Sequence, residues 1–254
     1  MMLTELWEII PGWSLDVSGM QSERSDGMNV VGSTAVIPVV GPMSKYGGWQ
    51  GASTLRARAT LRAAIASDAV DSIMMYFDSP GGTVAGSLDF AMDIRQASQI
   101  KPVFAYGSDL LASAAYKAAS QAGKVFANEA ALIGSIGVMS ALVDSKQLYT
   151  RMGVTVYPVT SGGVKGMGMP GTAITPDHRA YQQSLIDQMA NQFVNTVAMG
   201  RGMQPAAVQK LADGKMHTAA DAAKLGLIDG VMALDESISR LQTFARHLQG
   251  NSNV

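Results

Sequence analysis

The run Ser72-Ile73-Met74-Met75-Tyr76-Phe77 is apolar after its first residue, too short for a helix, and followed by a Pro-Gly-Gly turn. That is the pattern of a strand covered on both faces. It recurs. Thr34-Ala35-Val36-Ile37-Pro38-Val39-Val40 is closed by Gly41-Pro42, and Pro102-Val103-Phe104-Ala105-Tyr106 and Lys124-Val125-Phe126-Ala127 follow later. Helical periodicity fills the gaps, at Ser53 to Ser67, at about Ala85 to Ala97, and in an alanine-rich stretch from Ser113 to Ala122 after Gly107-Ser108-Asp109. In the first of these helices Leu55, Ala59, Leu61, Ala63 and Ile65 are expected on the buried face, with Arg56, Arg58 and Arg62 elsewhere. Strand and helix alternate three times, which calls for parallel βαβ units and an α/β fold.

The second half reads as more helical. Thr175-Pro176-Asp177 opens a long amphipathic helix to about Met199, with Leu185, Ile186, Met189, Phe193 and Val197 to bury. Pro205-Ala206 starts a short helix, and Thr218 to Gly226 reads as a capped one. Leu227 to Val231 returns to strand, and Gln249 to Val254 looks frayed. Residues 1–32 form an N-terminal arm or leader, 33–235 the main domain, and 236–254 a C-terminal helix and tail.

Composition narrows the function. Of 254 residues, 47% are hydrophobic and only 15% charged, a low charge density for a lone soluble subunit. A net charge of −1 gives no reason to expect nucleic acid or an anionic membrane as partner. The chain has no cysteine, which removes disulfides, thiolate metal sites and thiol nucleophiles together. No His/Asp/Glu cluster has metal-ligand spacing, so neither metal nor cofactor is expected. No apolar run reaches the ~18 residues of a membrane span, and the acidic start, broken by Pro11, is unlike a secretory signal. The expected location is cytoplasmic.

Candidate chemistry collects on four segments. Ser113 begins a helix after a strand, where free backbone N–H groups favour developing negative charge. Its plainer reading is a helix cap. Small neighbours Ala112, Ala114 and Ala115 leave room beside its hydroxyl, and the Ala114 N–H is a ready oxyanion donor. Asp78-Ser79-Pro80-Gly81-Gly82 ends the preceding strand, and its glycines allow close approach to a ligand. In a parallel sheet both turns lie at the carboxyl edge, so Gly82 N–H and Ala114 N–H can converge on one oxygen. No phosphate-binding glycine pattern is present.

A hydroxyl nucleophile also needs a base. No histidine precedes His178, and His178, His217 and His247 all read as surface residues. Lys165, in Ser161-Gly162-Gly163-Val164-Lys165-Gly166-Met167-Gly168-Met169-Pro170, is the candidate. A free lysine, with a pKa of about 10.4, is protonated at neutral pH, and desolvation is what lowers that value. The flanking glycines and methionines supply no counter-charge. The plainer reading is a solvated loop lysine. Asp78 is expected to tie the Ser-Pro-Gly-Gly turn, and Asp144 and Asp229 to serve loops and turns.

Together with Gly134-Ser135-Ile136-Gly137-Val138, these segments resemble, in order and spacing, the serine peptidases of the signal peptide peptidase A (protease IV) family. That family includes the capsid assembly, or head-maturation, proteases of tailed phages. The resemblance runs from about Ser33 to Ala233. It implies a ClpP/crotonase-like fold of stacked βαβ units with a helical C-terminal part. It implies a Ser-Lys dyad hydrolase with Ser113 as nucleophile, Lys165 as general base, and Gly82 with Ala114 as the oxyanion hole. One departure stands out: the two glycines that often follow the family's nucleophile are Ala114 and Ala115 here.

Lacking a membrane anchor, the chain looks more like the phage type, acting on capsid or scaffold protein in the host cytoplasm or prohead interior. The alternatives are a signal-peptide-degrading peptidase of the cell envelope and a catalytically silent assembly protein. A ClpP-type enzyme would need a histidine soon after the serine, and a crotonase-type enzyme would not need the Ser-Lys pair. A ring-shaped homo-oligomer is expected, with Lys165 able to reach Ser113 of a neighbouring subunit.

Overall fold

The computed structural model describes residues 28–48 and 51–251. Of the expected arm 1–32, residues 1–27 lie outside them. Asn29–Val31 (β1), assigned to the arm by sequence, pairs antiparallel with Thr34–Val40 (β2). Met43–Ser44 (β3) and Ala52–Ser53 (β4) form a small parallel pair before the helix Thr54–Ala66 (α1). Then come Ser72–Ser79 (β5), Ser87–Ala97 (α2), Val103–Ala112 (β6), Ser113–Ala119 (α3), Lys124–Ala127 (β7) and Leu132–Gly134 (β8). The rest comprises Lys146–Arg151 (α4), Pro176–Arg201 (α5), Pro205–Leu211 (α6), Met216–Thr218 (β9), Ala219–Lys224 (α7), Gly230–Val231 (β10) and Leu234–Asn251 (α8).

The parallel α/β reading holds. The main sheet runs β1-β2-β5-β6-β7-β10, and from β2 onward every neighbouring pair is parallel. Alternation along each strand divides the core into two layers. Ile37, Ile73, Met75, Phe77 and Val103 face α1, α2, α3 and α5, whereas Met74, Tyr76, Phe104 and Phe126 face Ile238 and Leu241 of α8. Burial on both faces explains why these strands read as continuous apolar runs.

The sheet forks at β6. Its first half pairs with β7 through Phe104 to Gly107, and its second half pairs with β8 through Leu110 to Ala112. Gly107-Ser108-Asp109, expected to end the strand, therefore continues it. A register shift between Phe77 and Ser79 absorbs the irregularity. The Asp78 carboxylate accepts from the Leu110 N–H there, so it ties β5 to β6 and not to its own turn. Burial pushes this carboxyl above its ordinary value, and Asp109 adds to the effect.

Two helix expectations change. In α1 the buried residues are Thr54, Ala57, Thr60, Leu61 and Ala64, so of the expected face only Leu61 is buried. Small residues let α1 lie close to α2, while Arg58 and Arg62 bridge to Asp93 and Arg58 also reaches Asp89. Helix α3 stops at Ala119, three residues early. In α5, Phe193 and Val197 are buried as expected, but Leu185 and Ile186 are only partly covered and Met189 is exposed. Only Gly230–Val231 of the last expected strand pairs. Asp229 does more than serve a turn: it accepts from Lys124, Arg201 and the Val125 N–H, joining the end of α5 to β7.

Candidate active site

Strand β6 passes into α3 without a connecting loop, and the residue at the junction is Ser113. Its φ is 50°, in the left-handed region that costs a non-glycine residue about 1–3 kcal/mol. The only other described non-glycine residue with positive φ is Ser135, also at 50°, just after β8. Such a junction turns a side chain out of the strand and off the helix. Ser113 does not cap α3, because Ala112 holds the cap position and no side chain bonds there. The Ser113 hydroxyl makes no hydrogen bond to any described residue and is half-buried. A cap serine should bond its helix, so the plainer reading does not describe this residue.

The turn after β5 meets the same junction. A Cβ on Gly81, at φ 89°, would stand 2.7 Å from Ala114 N and 2.8 Å from Ser113 Cβ. A Cβ on Gly82 would fall on the Met43 carbonyl. Glycine is therefore required at both positions for a steric reason. Met43 donates to the Gly81 carbonyl at 2.6 Å and accepts from the Thr83 N–H at 2.9 Å, which holds the turn to β3. In this parallel bridge the Gly82 N–H points away from β3 and has no partner among the described residues. The Ala114 N–H, in the first turn of α3, has no helical carbonyl to bond.

Gly82, Ser113 and Ala114 line one small pocket of about 100 Å³. Val84 closes it from the β5 side, Val138 and Met139 from the segment after β8, and Met189 and Phe193 from α5. Its polar floor is Lys117, one helical turn past Ser113 and so on the same face of α3. Lys117 is 4% exposed. Its Nζ donates to Ser87 Oγ at 2.6 Å and sits 5.3 Å from the Phe193 ring centre. Burial pulls its pKa from 10.5 down to about 8.

Lys165 lies outside this pocket. It is exposed, on a series of turns from Gly162 to Met169 that includes Gly166 and Gly168 at positive φ. His178, which completes a capping box with Thr175 at the start of α5, also reaches the Gly163 carbonyl at 3.1 Å. These turns belong to a long segment in which no side chain from 139 to 170 is buried. Val159 is 98% exposed, Tyr157 83% and Met139 78%. Within one chain, then, the structure joins Ser113, Gly82 and Ala114 and leaves Lys165 apart.

Lys117 escaped the sequence reading. The available signal was its i+4 spacing from Ser113, together with its position as the one charge in Ser-Ala-Ala-Tyr-Lys-Ala-Ala, where every side chain after the first is buried. Among the described residues no group of His, Cys, Asp and Glu could hold a metal, and no helix is long and apolar enough to cross a membrane.

A nucleophile candidate on a strained strand-to-helix junction, facing two free backbone N–H groups, suits acyl transfer. Comparison with known proteins agrees. The capsid assembly protease C of Escherichia phage lambda is 31% identical over 88% of this chain and 52% of its own length. The head-tail preconnector protein GP5 of Enterobacteria phage P21 is 30% identical over 94% of this chain and 50% of its own. A putative protease of Methanocaldococcus jannaschii is 32% identical over 70% of this chain and 57% of its own. The chain thus spans about half the length of the curated relatives it matches. The profile of Peptidase family S49 matches residues 95–248, and the chain belongs to that family.

Proposed function

We propose that this protein is a serine endopeptidase in which Ser113 is the nucleophile, Lys165 the general base, and the N–H groups of Gly82 and Ala114 the oxyanion hole. Ser113 Oγ attacks the scissile carbonyl carbon and gives its proton to the neutral Lys165 amine. The carbonyl oxygen, now negative, is held by the two N–H groups. The lysine ammonium then protonates the leaving amine as the C–N bond breaks, leaving an acyl-enzyme. Water attacks the ester, the lysine takes its proton, and that proton returns to Ser113 Oγ as the acid departs. The observation that carries this reading is the unbonded Ser113 hydroxyl in one pocket with Gly82 and Ala114.

Lys165 is supplied by a neighbouring subunit in a closed ring. The segment that carries it exposes Tyr157, Val159, Met152 and Leu148, apolar side chains that a second subunit would cover. Packing of that kind also removes water from a lysine, the condition for a neutral amine. The substrate is a capsid or scaffold protein, a reading supported by the names of the two phage relatives and by alignments that run along nearly this whole chain. Signal-peptide degradation at the cell envelope is the rival.

Mixing inactive Ser113→Ala with inactive Lys165→Ala protein tests the shared site. Activity recovered in the mixture is expected, because hybrid interfaces would restore complete dyads. No recovery after confirmed subunit exchange would place both residues in one chain. Co-expression with candidate capsid and scaffold proteins, followed by N-terminal sequencing of fragments, tests the substrate.

A further inference from the structure

The Lys117 side chain is a buried cation that the peptidase reading leaves without a task. A lysine ammonium has three N–H donors and no acceptor. One donor is used on Ser87 Oγ at 2.6 Å. The Ser87 hydroxyl spends its own proton on the Val84 carbonyl at 2.8 Å, so toward Lys117 it can only accept. Phe193 offers its ring face, 5.3 Å away. Among the described residues lining the pocket there is no carboxylate. Burying a charge without a counter-ion is costly, and a core position would be better filled by an apolar residue. Lys117 lines the same space as Ser113, Gly82 and Ala114.

The shape of that space says what could fill it. A substrate carbonyl held by Gly82 and Ala114 places the side chain of its own residue next to the nucleophile, at the mouth of this pocket. The walls are apolar, from Val84, Val138, Met189 and Phe193, and suit a methylene stem. The floor is cationic.

We propose that Lys117, buttressed by Ser87, is the floor of the subsite for the substrate residue that contributes the scissile carbonyl, and that this subsite selects a side chain ending in a carboxylate, glutamate or aspartate. The bound carboxylate supplies the missing counter-ion, its stem lies along the apolar walls, and the backbone carbonyl is thereby set over Ser113. This inference rests on Ser113 being the nucleophile. Lys117 takes no proton from Ser113 in it and acts on the substrate alone.

Wild-type protein and the Lys117→Met and Lys117→Gln variants are incubated with synthetic peptides presenting every residue type at the scissile position, and cleavage sites are read by mass spectrometry. Wild type is expected to cut after Glu and Asp. In Lys117→Met the ratio of kcat/KM for acidic over apolar residues is expected to fall by about 100-fold, the discrimination a charged hydrogen bond can supply. Lys117→Gln, which keeps a donor but no charge, should favour Gln over Glu. A preference unchanged by Lys117→Met would overturn the proposal. So would an equal loss for every residue type in a folded variant, which would put Lys117 in proton transfer.

Ser113→Ala protein that cleaves with the wild-type pattern would instead sink the nucleophile assignment. A binding measurement needs no turnover. By fluorescence anisotropy, Ser113→Ala protein should hold a peptide ending in Glu at least about 10-fold more tightly than one ending in Leu. Adding Lys117→Met should erase the difference. Equal affinity for the two peptides in Ser113→Ala protein would count against the subsite.

Discussion

Around Ser113 the chain is packed on almost every side. Ala112, Ala114, Ala115 and Tyr116 are buried, and the Tyr116 hydroxyl donates to the Leu227 carbonyl at 2.8 Å. Around Lys165 the opposite holds: no side chain from 139 to 170 is buried, and α4 within that stretch buries none of its residues. The first region derives its geometry from the sheet beneath it. The second holds its turns by a few hydrogen bonds, such as those Asp144 accepts from the N–H groups of Lys146 and, 30 residues along, Ile174. A nucleophile must be fixed in place before reaction, whereas an exposed apolar segment becomes ordered against something else. The contrast separates a pocket built within one subunit from a segment that the same subunit leaves uncovered.

The largest effects expected from this contrast are on turnover. Ser113→Ala and Lys165→Ala should each lower kcat by roughly 10⁴-fold or more, and the double variant should lose little beyond either, the non-additivity that the proposed dyad requires. Thermal melts should nonetheless keep both single variants near wild type. Near-wild-type turnover in Lys165→Ala would end the idea that the exposed segment carries the base.

Next come substitutions that separate packing from assembly. Phe77→Ala, in the core under α2, should cost about 3–5 kcal/mol in denaturant unfolding. Tyr157→Ser should change the stability of the isolated subunit by about 0.5 kcal/mol at most, yet weaken association in sedimentation and reduce activity at low protein concentration. If Tyr157→Ser unfolded the subunit instead, the segment would belong to the body and the contrast would be false.

A smaller effect with a definite sign concerns Lys117. Its folded pKa is about 8, against 10.5 for a free side chain, so between those values the unfolded chain binds more protons and stability rises with pH. The penalty is complete below pH 8 and gone above 10.5. Lys117→Met should therefore stabilise the protein at pH 7 by up to about 3 kcal/mol, the gain shrinking to nothing by pH 10.5. A gain that stayed constant with pH would mean that the lysine is not desolvated as its burial implies. A destabilised variant at pH 7 would mean that a counter-charge sits nearby.

What could be read from the sequence follows the same division. The two-faced strands announced themselves because burial on both sides leaves few polar positions, and the Gly81-Gly82 turn because nothing larger fits. The junction at Ser113 was half visible. Its place between strand and helix could be read, but not the positive φ, which depends on β8 and the β5 turn gripping both sides of β6. The orientation of α1 was misread because its buried face carries Ala57 and Thr60, small residues whose burial depends on how closely α2 approaches. Lys117 was hidden because a lysine inside a core contradicts the usual preference, and only the three-dimensional pocket explains its place.

The fork of the sheet at β6 carries a consequence for the order in which the chain is made. Strand β5 can meet β2, and β6 can meet β5, as soon as each leaves the ribosome, but the far edge of β6 is closed only by β7 and β8, which are synthesised after it, and β8 in turn is paired by β9, from Met216 to Thr218. The pocket wall from α5, at Met189 and Phe193, arrives later still than β8. A nascent chain therefore exposes Ser113 long before it holds it in position. The timing resembles a safety catch: a chain still on the ribosome, surrounded by other unfolded chains, has the proposed nucleophile in its sequence and not yet in its structure.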